Sequence, residues 1–485
     1  MKHFLKGKLK GVFAFFATML VAVSLAPTAA FAADFMNAGA LTVGNLEKGD
    51  VVKIYKVVDS SYNSTTNEFK ITGWVDGLKS PNNLETVLPF DTYKTDTNNK
   101  KANAETVAQY VIKNNVSAAQ TSDPAATDKA TVAFNNLSLG QYLVTVTPGN
   151  AGSLYQAVIV SVVPKNDNGN FVVDAVSTNP KPEPIKLYKK VDASAKGEFN
   201  AVDVDTVSAE GLAYFKVTTT LPSYAAGSVN RTFSIKDTMI AGLTLNGAVT
   251  VKVGGAEVKA GNDTYTVEAN TANVTFQNDY LVANPGKSVE ITYAAKLASD
   301  VAFDKTYSNT ATLEYSTDSY TDSKKTLEST AYVTVYKAKV KKIEAKNNDK
   351  VLAGAEFELY TDAAHTNPVQ RDGQTVKVTT GADGFAYIDG LGAGTYHLKE
   401  VKAPTGYVLP EGNANDFALT ITSNTSAEKN WKGNDDALTT VSNVPADLGG
   451  NLPTTGGPGT VALTVAGVVV MAGAACFVVR SRKQN

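Results

Sequence analysis

The stretch Val51-Val52-Lys53-Ile54-Tyr55-Lys56-Val57 decides the fold, because its β-branched and aromatic residues alternate with polar ones. Tyr142-Leu143-Val144-Thr145-Val146 and Tyr332-Val333-Thr334-Val335-Tyr336 repeat the pattern much further along the chain. Asn, Gly, Asp and Ser cluster between such runs, as in the turns of antiparallel sheets. We therefore predict an all-β protein built from β-sandwiches. Outside the two ends of the chain, helical periodicity is expected only at residues 104–114.

Two breaks divide the chain. Asn179-Pro180-Lys181-Pro182-Glu183-Pro184 is a proline-rich joint, which should be stiff and extended. The strand-like run at 185–192 follows it, and Val340-Lys341-Lys342-Ile343-Glu344 opens a further unit. We predict three tandem immunoglobulin-like β-sandwich domains in an elongated row, at residues 33–178, 182–335 and 336–446.

The N-terminus has the pattern of a secretory signal peptide. A lysine-rich leader at residues 2–10 precedes an apolar run at 12–25, and Ala30-Phe31-Ala32 supplies small residues for a signal peptidase. We predict cleavage after Ala32, so that residues 1–32 are removed. The alternative, an N-terminal membrane anchor, is disfavoured because the apolar run is too short to span ~30 Å of hydrocarbon.

The C-terminus carries a different signal. Leu452-Pro453-Thr454-Thr455-Gly456 lies in a predicted linker at 447–459, and the charge-free run at 460–479 is long enough for a transmembrane helix. A basic tail at 480–485 follows, and basic residues stay on the cytoplasmic side. This order resembles the sorting signal of sortase substrates, whereas a plain membrane anchor would not need the motif. The resemblance implies that a sortase cysteine attacks the Thr455 carbonyl and that an amine, such as that of peptidoglycan, accepts the acyl group.

The composition excludes several classes of function. The formal net charge is −2, so no nucleic-acid partner is expected. The only cysteine, Cys476, lies in the apolar run, so the mature chain should have no disulfide. Only His365 and His397 remain after signal-peptide removal, which argues against a histidine-based hydrolase. We expect no metal and no cofactor.

Two lysines fall on faces that should be buried. Strand alternation puts Lys189 on the same face as Leu187 and Val191, and it puts Lys342 on the same face as Val340. An unpaired ammonium inside a sandwich is costly, and burial lowers a lysine pKa. These lysines either extend to solvent at strand ends or serve as neutral, nucleophilic amines.

The third unit contains four motifs: Leu352-Ala353-Gly354-Ala355-Glu356-Phe357-Glu358-Leu359, Gly394-Thr395-Tyr396-His397-Leu398-Lys399-Glu400, Ala403-Pro404-Thr405-Gly406-Tyr407 and Val441-Ser442-Asn443-Val444-Pro445. They closely resemble the B-type repeat of collagen adhesins and Gram-positive pilins. The resemblance implies an isopeptide bond between Lys342 and Asn443, formed with the help of the Glu400 carboxyl. A buried acid would polarise the amide of asparagine, the neutral lysine would attack it, and ammonia would leave.

The middle unit carries a looser version of these motifs. Phe233-Ser234-Ile235-Lys236-Asp237-Thr238 and the later Tyr307-Ser308-Asn309-Thr310-Ala311 resemble the second domain of fimbrial subunits, in which aspartate replaces glutamate. The resemblance implies a Lys189–Asn309 bond with Asp237 as the acid. Lys190 is the competing nucleophile. Both bonds are expected to tie a first strand to a last strand.

The first unit departs from the pattern. Its Gly140-Gln141-Tyr142 segment aligns with the Gly-x-Tyr segment of the third unit, and Val146 stands where Glu400 stands. Lys53 and Lys56 therefore have no acid helper, and we predict no bond in this unit.

The remaining motif concerns polymerisation. Val160-Ser161-Val162-Val163-Pro164-Lys165-Asn166 resembles the Val-Tyr-Pro-Lys-Asn segment of pilins, with Val163 in place of tyrosine. Lys165 is the candidate amine for the Thr455 of the next subunit, and Lys181 is its rival. From signal peptide to tail the chain resembles a major pilin backbone subunit, a wall-anchored surface protein that is not an enzyme in the usual sense. Its expected partners are sortase, further copies of itself and peptidoglycan. The alternative is a monomeric wall-anchored adhesin, for which no motif specifies a host ligand.

Overall fold

The computed structural model describes residues 35–79, 84–168, 170–193, 199, 203–301, 306–422 and 438–446. The predicted signal peptide, sorting motif, transmembrane helix and basic tail lie outside these ranges. Within them, no helix has the length and apolar character needed to cross a membrane. The described residues divide into two compact units, one drawn from residues 35–183 with 317–321 and the other from 184–316 with 322–446.

The N-terminal part of the chain contributes β1 (Gly39–Leu46), β2 (Val51–Asn63), β3 (Glu68–Trp74), β4 (Gln120–Thr121), β5 (Ala130–Leu137), β6 (Gly140–Thr147), β7 (Ser153–Leu154), β8 (Val158–Val162), β9 (Lys165–Asp167), β10 (Asn170–Val172), β11 (Val176–Thr178) and β12 (Glu183–Pro184). One sheet has the order β11-β1-β5, and a second has the order β3-β2-β6-β8 with β4 paired to β2. Strands β9 and β10 form a separate hairpin.

Strand β2 is buried on both faces. Val52 and Ile54 belong to the core between the two sheets, whereas Tyr55 and Val57 pack in a second core that includes residues of the helix Lys100–Lys113. Successive side chains of a strand point to opposite faces, so one strand supplies both cores. The N-terminal part of the chain, which corresponds to the predicted first domain, thus has a helical layer beside its two sheets.

The middle part of the chain, which corresponds to the predicted middle domain, is a sandwich of two sheets. Its strands are β13 (Tyr188–Asp192), β14 (Val204–Thr206), β15 (Leu212–Thr220), β16 (Phe233–Met239), β17 (Leu243–Val253), β18 (Ala256–Val258), β19 (Tyr265–Val267), β20 (Val274–Phe276), β21 (Ser288–Leu297), β22 (Thr306–Ser316) and β23 (Lys324–Thr334). One sheet has the order β13-β15-β21-β17-β18, and the other has the order β14-β23-β22-β16-β20-β19.

The C-terminal part, which corresponds to the predicted third domain, forms a smaller sandwich. Its strands are β24 (Tyr336–Glu344), β25 (Asn347–Val351), β26 (Glu356–Tyr360), β27 (Gln370–Arg371), β28 (Gln374–Thr375), β29 (Lys377–Thr379), β30 (Phe385–Leu391), β31 (Gly394–Lys402), β32 (Phe417–Ile421) and β33 (Leu438–Asn443). One sheet is β25-β24-β30 with β33 parallel to β24, and the other is β29-β26-β31-β32. The all-β class predicted from the sequence is confirmed.

Hydrogen bonds join the middle and C-terminal sandwiches within the second unit. The Ser208 hydroxyl accepts from the Gly392 amide at 2.9 Å, and the Ala209 amide donates to the Gly390 carbonyl at 2.8 Å. The linking residues Val335 and Tyr336 are both buried. The second unit therefore continues through the domain boundary that the sequence predicts at 335–336.

The expectation of a single internal helix was wrong. Besides Lys100–Lys113, the structure has short helices at Asp76–Lys79, Leu84–Val87, Phe90–Thr95 and Asn278–Ala283, and a 3₁₀ turn at Gly412–Asn415. Segments of four to six residues complete fewer than two turns, so they are too short to display a 3.6-residue period.

Candidate crosslink sites

The third domain brings Lys342, Glu400 and Asn443 together in its core. Lys342 lies on β24 and Asn443 on β33, which are parallel neighbours, and Glu400 reaches them from β31 of the facing sheet. The Lys342 Nζ donates to the Asn443 Oδ1 and lies 3.2 Å from the Glu400 Oε2, while the Asn443 Nδ2 donates to the Glu400 Oε1 at 2.9 Å. The three residues are at most 1% exposed, which confirms the predicted burial of Lys342.

Burial disfavours the charged forms of this cluster. It lowers the pKa of Lys342 to about 8 against the opposing attraction of Glu400. Burial also raises the pKa of the Glu400 carboxyl, although Lys342 and Asn443 oppose that rise. Both shifts bring the pair closer to a neutral amine beside a neutral acid, which are the forms that nucleophilic attack on an amide requires.

Two contacts that the sequence did not predict hold this cluster in place. The Asn415 side chain accepts from the Glu400 backbone amide and donates to the Glu400 carbonyl, both at 2.8 Å. The Val408 carbonyl accepts a second hydrogen bond from the Asn443 Nδ2 at 3.1 Å. These contacts fix the backbone of the acid and the orientation of the amide.

The middle domain assembles a related cluster across its two sheets. Lys189 projects from β13 of one sheet, and Asp237 and Asn309 project from β16 and β22 of the other. The Lys189 Nζ donates to the Asp237 Oδ2, and both side chains are at most 1% exposed. Burial lowers the pKa of Lys189 to about 8, against the attraction of Asp237.

Lys190, the competing nucleophile, lies elsewhere. Its Nζ pairs with the Asp203 Oδ1 at 2.6 Å, and its side chain is 27% exposed. Lys189, which strand alternation places on the inward face, is thus the lysine that the structure buries. The expected tie from a first to a last strand was wrong for this domain, because Asn309 lies on β22 and β23 follows it.

Tyr293, which no sequence motif indicates, lies on β21 among the members of this cluster. The Tyr293 hydroxyl accepts hydrogen bonds from the Lys189 Nζ and, at 3.0 Å, from the Asn309 Nδ2. The same hydroxyl donates to the Asp237 Oδ2 at 2.5 Å. A signal was present: Val289, Ile291, Tyr293 and Ala295 alternate along the inward face of β21, and among them only Tyr293 carries a polar group.

The first domain lacks such a cluster in the residues that the structure describes. Lys53 is exposed, and the Lys56 Nζ pairs with the Asp59 carboxylate at 3.0 Å. Val146 is buried at the position that corresponds to Glu400.

The two candidate polymerisation lysines are both exposed. Lys165 begins the β9–β10 hairpin with its side chain 76% exposed, and its Nζ pairs with the Asp174 Oδ2 at 2.6 Å. This hydrogen bond raises the pKa of Lys165. Lys181 is exposed in the proline-rich joint.

Two protein families match parts of the chain. Residues 336–435 match the SpaA family, described as a prealbumin-like fold domain. Residues 449–485 match the LPXTG cell wall anchor motif. The first match covers most of the third sandwich, and the second covers the predicted sorting signal.

Similar proteins cover most of the chain. It is 28% identical to the fimbrial subunit type 2 of Actinomyces naeslundii, over 73% of this chain and 72% of that protein. It is 23% identical to the trypsin-resistant surface T6 protein of Streptococcus pyogenes serotype M6, over 81% of this chain and 74% of that protein.

Two solved structures share the fold. The T6 backbone pilin of S. pyogenes, described as modular and three-domain, matches with a TM-score of 0.57 and 22% identity, over 79% of this chain and 80% of that one. The full-length major pilin SpaD of Corynebacterium diphtheriae matches with a TM-score of 0.54 and 23% identity, over 86% of this chain and 99% of that one. The predicted resemblance to sortase-assembled Gram-positive major pilins is thus confirmed, together with the cell wall anchor motif at the C-terminus.

Proposed function

We propose that this chain is the structural backbone subunit of a sortase-polymerised, cell-wall-anchored pilus, strengthened by two intramolecular Lys–Asn isopeptide bonds. The observation that carries the proposal is the buried Lys342–Glu400–Asn443 cluster, which joins the strand that enters the third domain to the strand that leaves it. A covalent bond there would carry tension directly from one end of the domain to the other. That property suits a load-bearing filament.

The chemistry of the bond follows from the contacts. The neutral Lys342 Nζ attacks the Asn443 Cγ, the Glu400 carboxyl shuttles a proton from the attacking nitrogen to the amide nitrogen, and ammonia leaves. Glu400 suits this role because its two oxygens contact the two reacting side chains separately. Fixed proximity supplies much of the acceleration. The reaction occurs once per molecule, so the protein is a structural subunit.

Two lost ammonia molecules are the first expected result. The mass of the mature extracellular chain, residues 33–446, should be lower than its sequence mass by that amount, because each bond expels one ammonia. Intact-mass spectrometry measures this directly, and replacing both Asn309 and Asn443 by alanine should leave no deficit. An unmodified mass for the natural chain would contradict both crosslinks.

Glu400→Ala should abolish the third-domain bond and leave the middle-domain bond intact. The variant removes the proton shuttle and leaves Lys342 without its acid partner, at a cost of about 3–5 kcal/mol if the lysine stays charged. Tandem mass spectrometry of digests should then lack the Lys342–Asn443 branched peptide. Glu356→Ala is the matched control, because Glu356 pairs with Lys402 at the surface, on the same sheet. Persistence of the branched peptide in Glu400→Ala would mean that another group serves as the acid.

Polymerisation requires an external amine. Sortase would hold Thr455 as an acyl-enzyme, and Lys165 of another copy would resolve it, with Lys181 as the alternative. Support for this step comes from the exposure of both amines. Resolution by peptidoglycan would anchor the finished polymer to the wall.

Denaturing gels of wall extracts separate this function from the adhesin alternative. A backbone subunit forms covalent ladders that survive boiling in detergent and disappear in a strain without the sortase. A monomeric adhesin gives a single wall-linked species, and that result would replace the pilus proposal.

A further inference from the structure

Tyr293 contacts every member of the middle-domain cluster. Its hydroxyl accepts hydrogen bonds from the Lys189 Nζ and the Asn309 Nδ2, and it donates to the Asp237 Oδ2. The residue is 4% exposed. Its ring stacks on Phe215, directly opposite on β15, with ring centroids 5.7 Å apart. The hydroxyl is therefore held in one position among the reacting groups.

The two crosslink sites differ in which reacting side chains their acidic residue contacts. In the third domain a single carboxyl contacts both reactants, because the Glu400 Oε2 lies beside Lys342 and the Oε1 accepts from Asn443. In the middle domain the Asp237 Oδ2 contacts Lys189, while Asp237 makes no direct hydrogen bond to Asn309 among the described residues. Aspartate is one methylene shorter than glutamate, and the Tyr293 hydroxyl fills the resulting gap.

We infer that Tyr293 is a catalytic residue of the middle-domain crosslink, relaying a proton from Asp237 to the leaving nitrogen of Asn309. This inference rests on the proposed isopeptide bond. Tyr293 gives its proton to the Asn309 Nδ2 as the Cγ–Nδ2 bond breaks, and it recovers one from the Asp237 carboxyl. The step starts after Lys189 has passed one proton to the Asp237 it contacts, and Asp237 is reprotonated by the Lys189 nitrogen once that nitrogen has bonded to the Cγ. Ammonia leaves, and Tyr293 and Asp237 end unchanged.

The hydroxyl has the properties that this role requires. Burial raises the pKa of Tyr293 well above its usual value, so the hydroxyl stays protonated and able to donate at neutral pH. The Tyr293 hydroxyl contacts the Asn309 Nδ2, which is the atom that must gain a proton to leave as ammonia. The Asn309 Oδ1 has no hydrogen-bond partner among the described residues.

The test is Tyr293→Phe in the full-length protein, produced in a sortase-bearing Gram-positive host. Phenylalanine keeps the ring stacked on Phe215 and removes only the hydroxyl. The Lys189–Asn309 branched peptide should form about a hundredfold more slowly or not at all, the usual effect of losing a general acid. Pulse-labelling followed by digestion and mass spectrometry measures its rate, and the Lys342–Asn443 peptide in the same molecules is an internal standard that should not change.

Two further variants make the outcome decisive. Tyr224→Phe is the matched control, because the Tyr224 hydroxyl is also buried in this domain but donates to the Ser316 carbonyl; it should crosslink at the normal rate. Asn309→Ala defines the circular dichroism of a folded, uncrosslinked middle domain. A Tyr293→Phe protein that matches that spectrum and lacks the bond supports the inference.

The contrary outcomes are equally distinct. Normal crosslinking in Tyr293→Phe would overturn the role of Tyr293 and leave the proposed bond standing. An unfolded middle domain in Tyr293→Phe would make the hydroxyl a structural group and would also overturn the inference. Absence of the Lys189–Asn309 peptide from the natural protein would remove the proposed bond itself.

Discussion

Lys165→Arg is expected to be secreted, crosslinked internally and anchored to the wall, yet to form no high-mass ladder. Arginine keeps the positive charge that pairs with Asp174, but its guanidinium stays protonated and cannot act as the accepting amine. Folding and sorting should be unaffected because Lys165 is exposed on a short hairpin. Denaturing gels of wall extracts from cells that express only this variant measure the effect.

Lys181→Arg is the matched variant, since Lys181 is the other exposed candidate and lies sixteen positions further along the chain. Lys70→Arg, on an exposed lysine of β3, controls for the substitution itself. Ladders that persist in Lys165→Arg but vanish in Lys181→Arg would move the site to the proline-rich joint and keep the mechanism. Ladders in the double variant would contradict a single lysine acceptor at either position.

The second large effect is mechanical. Stretching a single molecule from its two ends should leave the third domain unextended, because the Lys342–Asn443 bond carries the force past everything between them. Lys342→Ala should release that segment, whose sequence separation is 101 residues. At ~3.4 Å per residue, the added length is roughly 340 Å. Lys341→Ala, at the adjacent position on β24, is the control and should add nothing.

When the protein without substitutions is stretched, the middle domain should extend, but by less than the third domain of Lys342→Ala. Asn309 precedes the end of β22 and the whole of β23, so residues 310–335 lie outside the loop that the bond closes. About 26 residues at ~3.4 Å each allow at most roughly 90 Å of extension. Full unfolding of the third domain at moderate force, in the protein that carries no substitution, would contradict the Lys342–Asn443 crosslink.

The crosslink in the third domain should also raise thermal stability. By analogy with disulfides, closing a loop of ~100 residues lowers the conformational entropy of the unfolded chain and so stabilises the folded state by about 5 kcal/mol. Lys342→Ala loses this contribution and also leaves Glu400 buried without its lysine. Uncrosslinked variants should therefore unfold at lower temperature and become sensitive to protease.

Strand alternation in the sequence predicted which lysines face the core. A period of two residues distinguishes Lys189 from Lys190, and the structure buries the first and exposes part of the second. The same period selected Lys342 on β24. Family motifs then supplied Glu400, Asn443, Asp237 and Asn309, each of which contacts its expected neighbours directly or through Tyr293.

What the sequence could not supply depends on contacts between distant segments. Tyr293 is inward-facing by alternation, but only the packing of the two sheets brings its hydroxyl to Lys189 and Asn309. Asn415 is similar, because a 3₁₀ turn carries it back to the Glu400 backbone. The position of β23 after Asn309 was missed because the motif marks a residue and leaves the number of later strands open.

The most direct test of the pilus proposal is sequencing of the branched peptides in purified surface polymer. The polymer is digested, and peptides that end at Thr455 are searched by tandem mass spectrometry for the amine attached to that residue. The proposal predicts that the Thr455 carboxyl is joined to the Nζ of Lys165 in most molecules, with a minority joined to wall peptide. Thr455 joined only to wall peptide would contradict the polymer and leave a monomeric, wall-anchored protein.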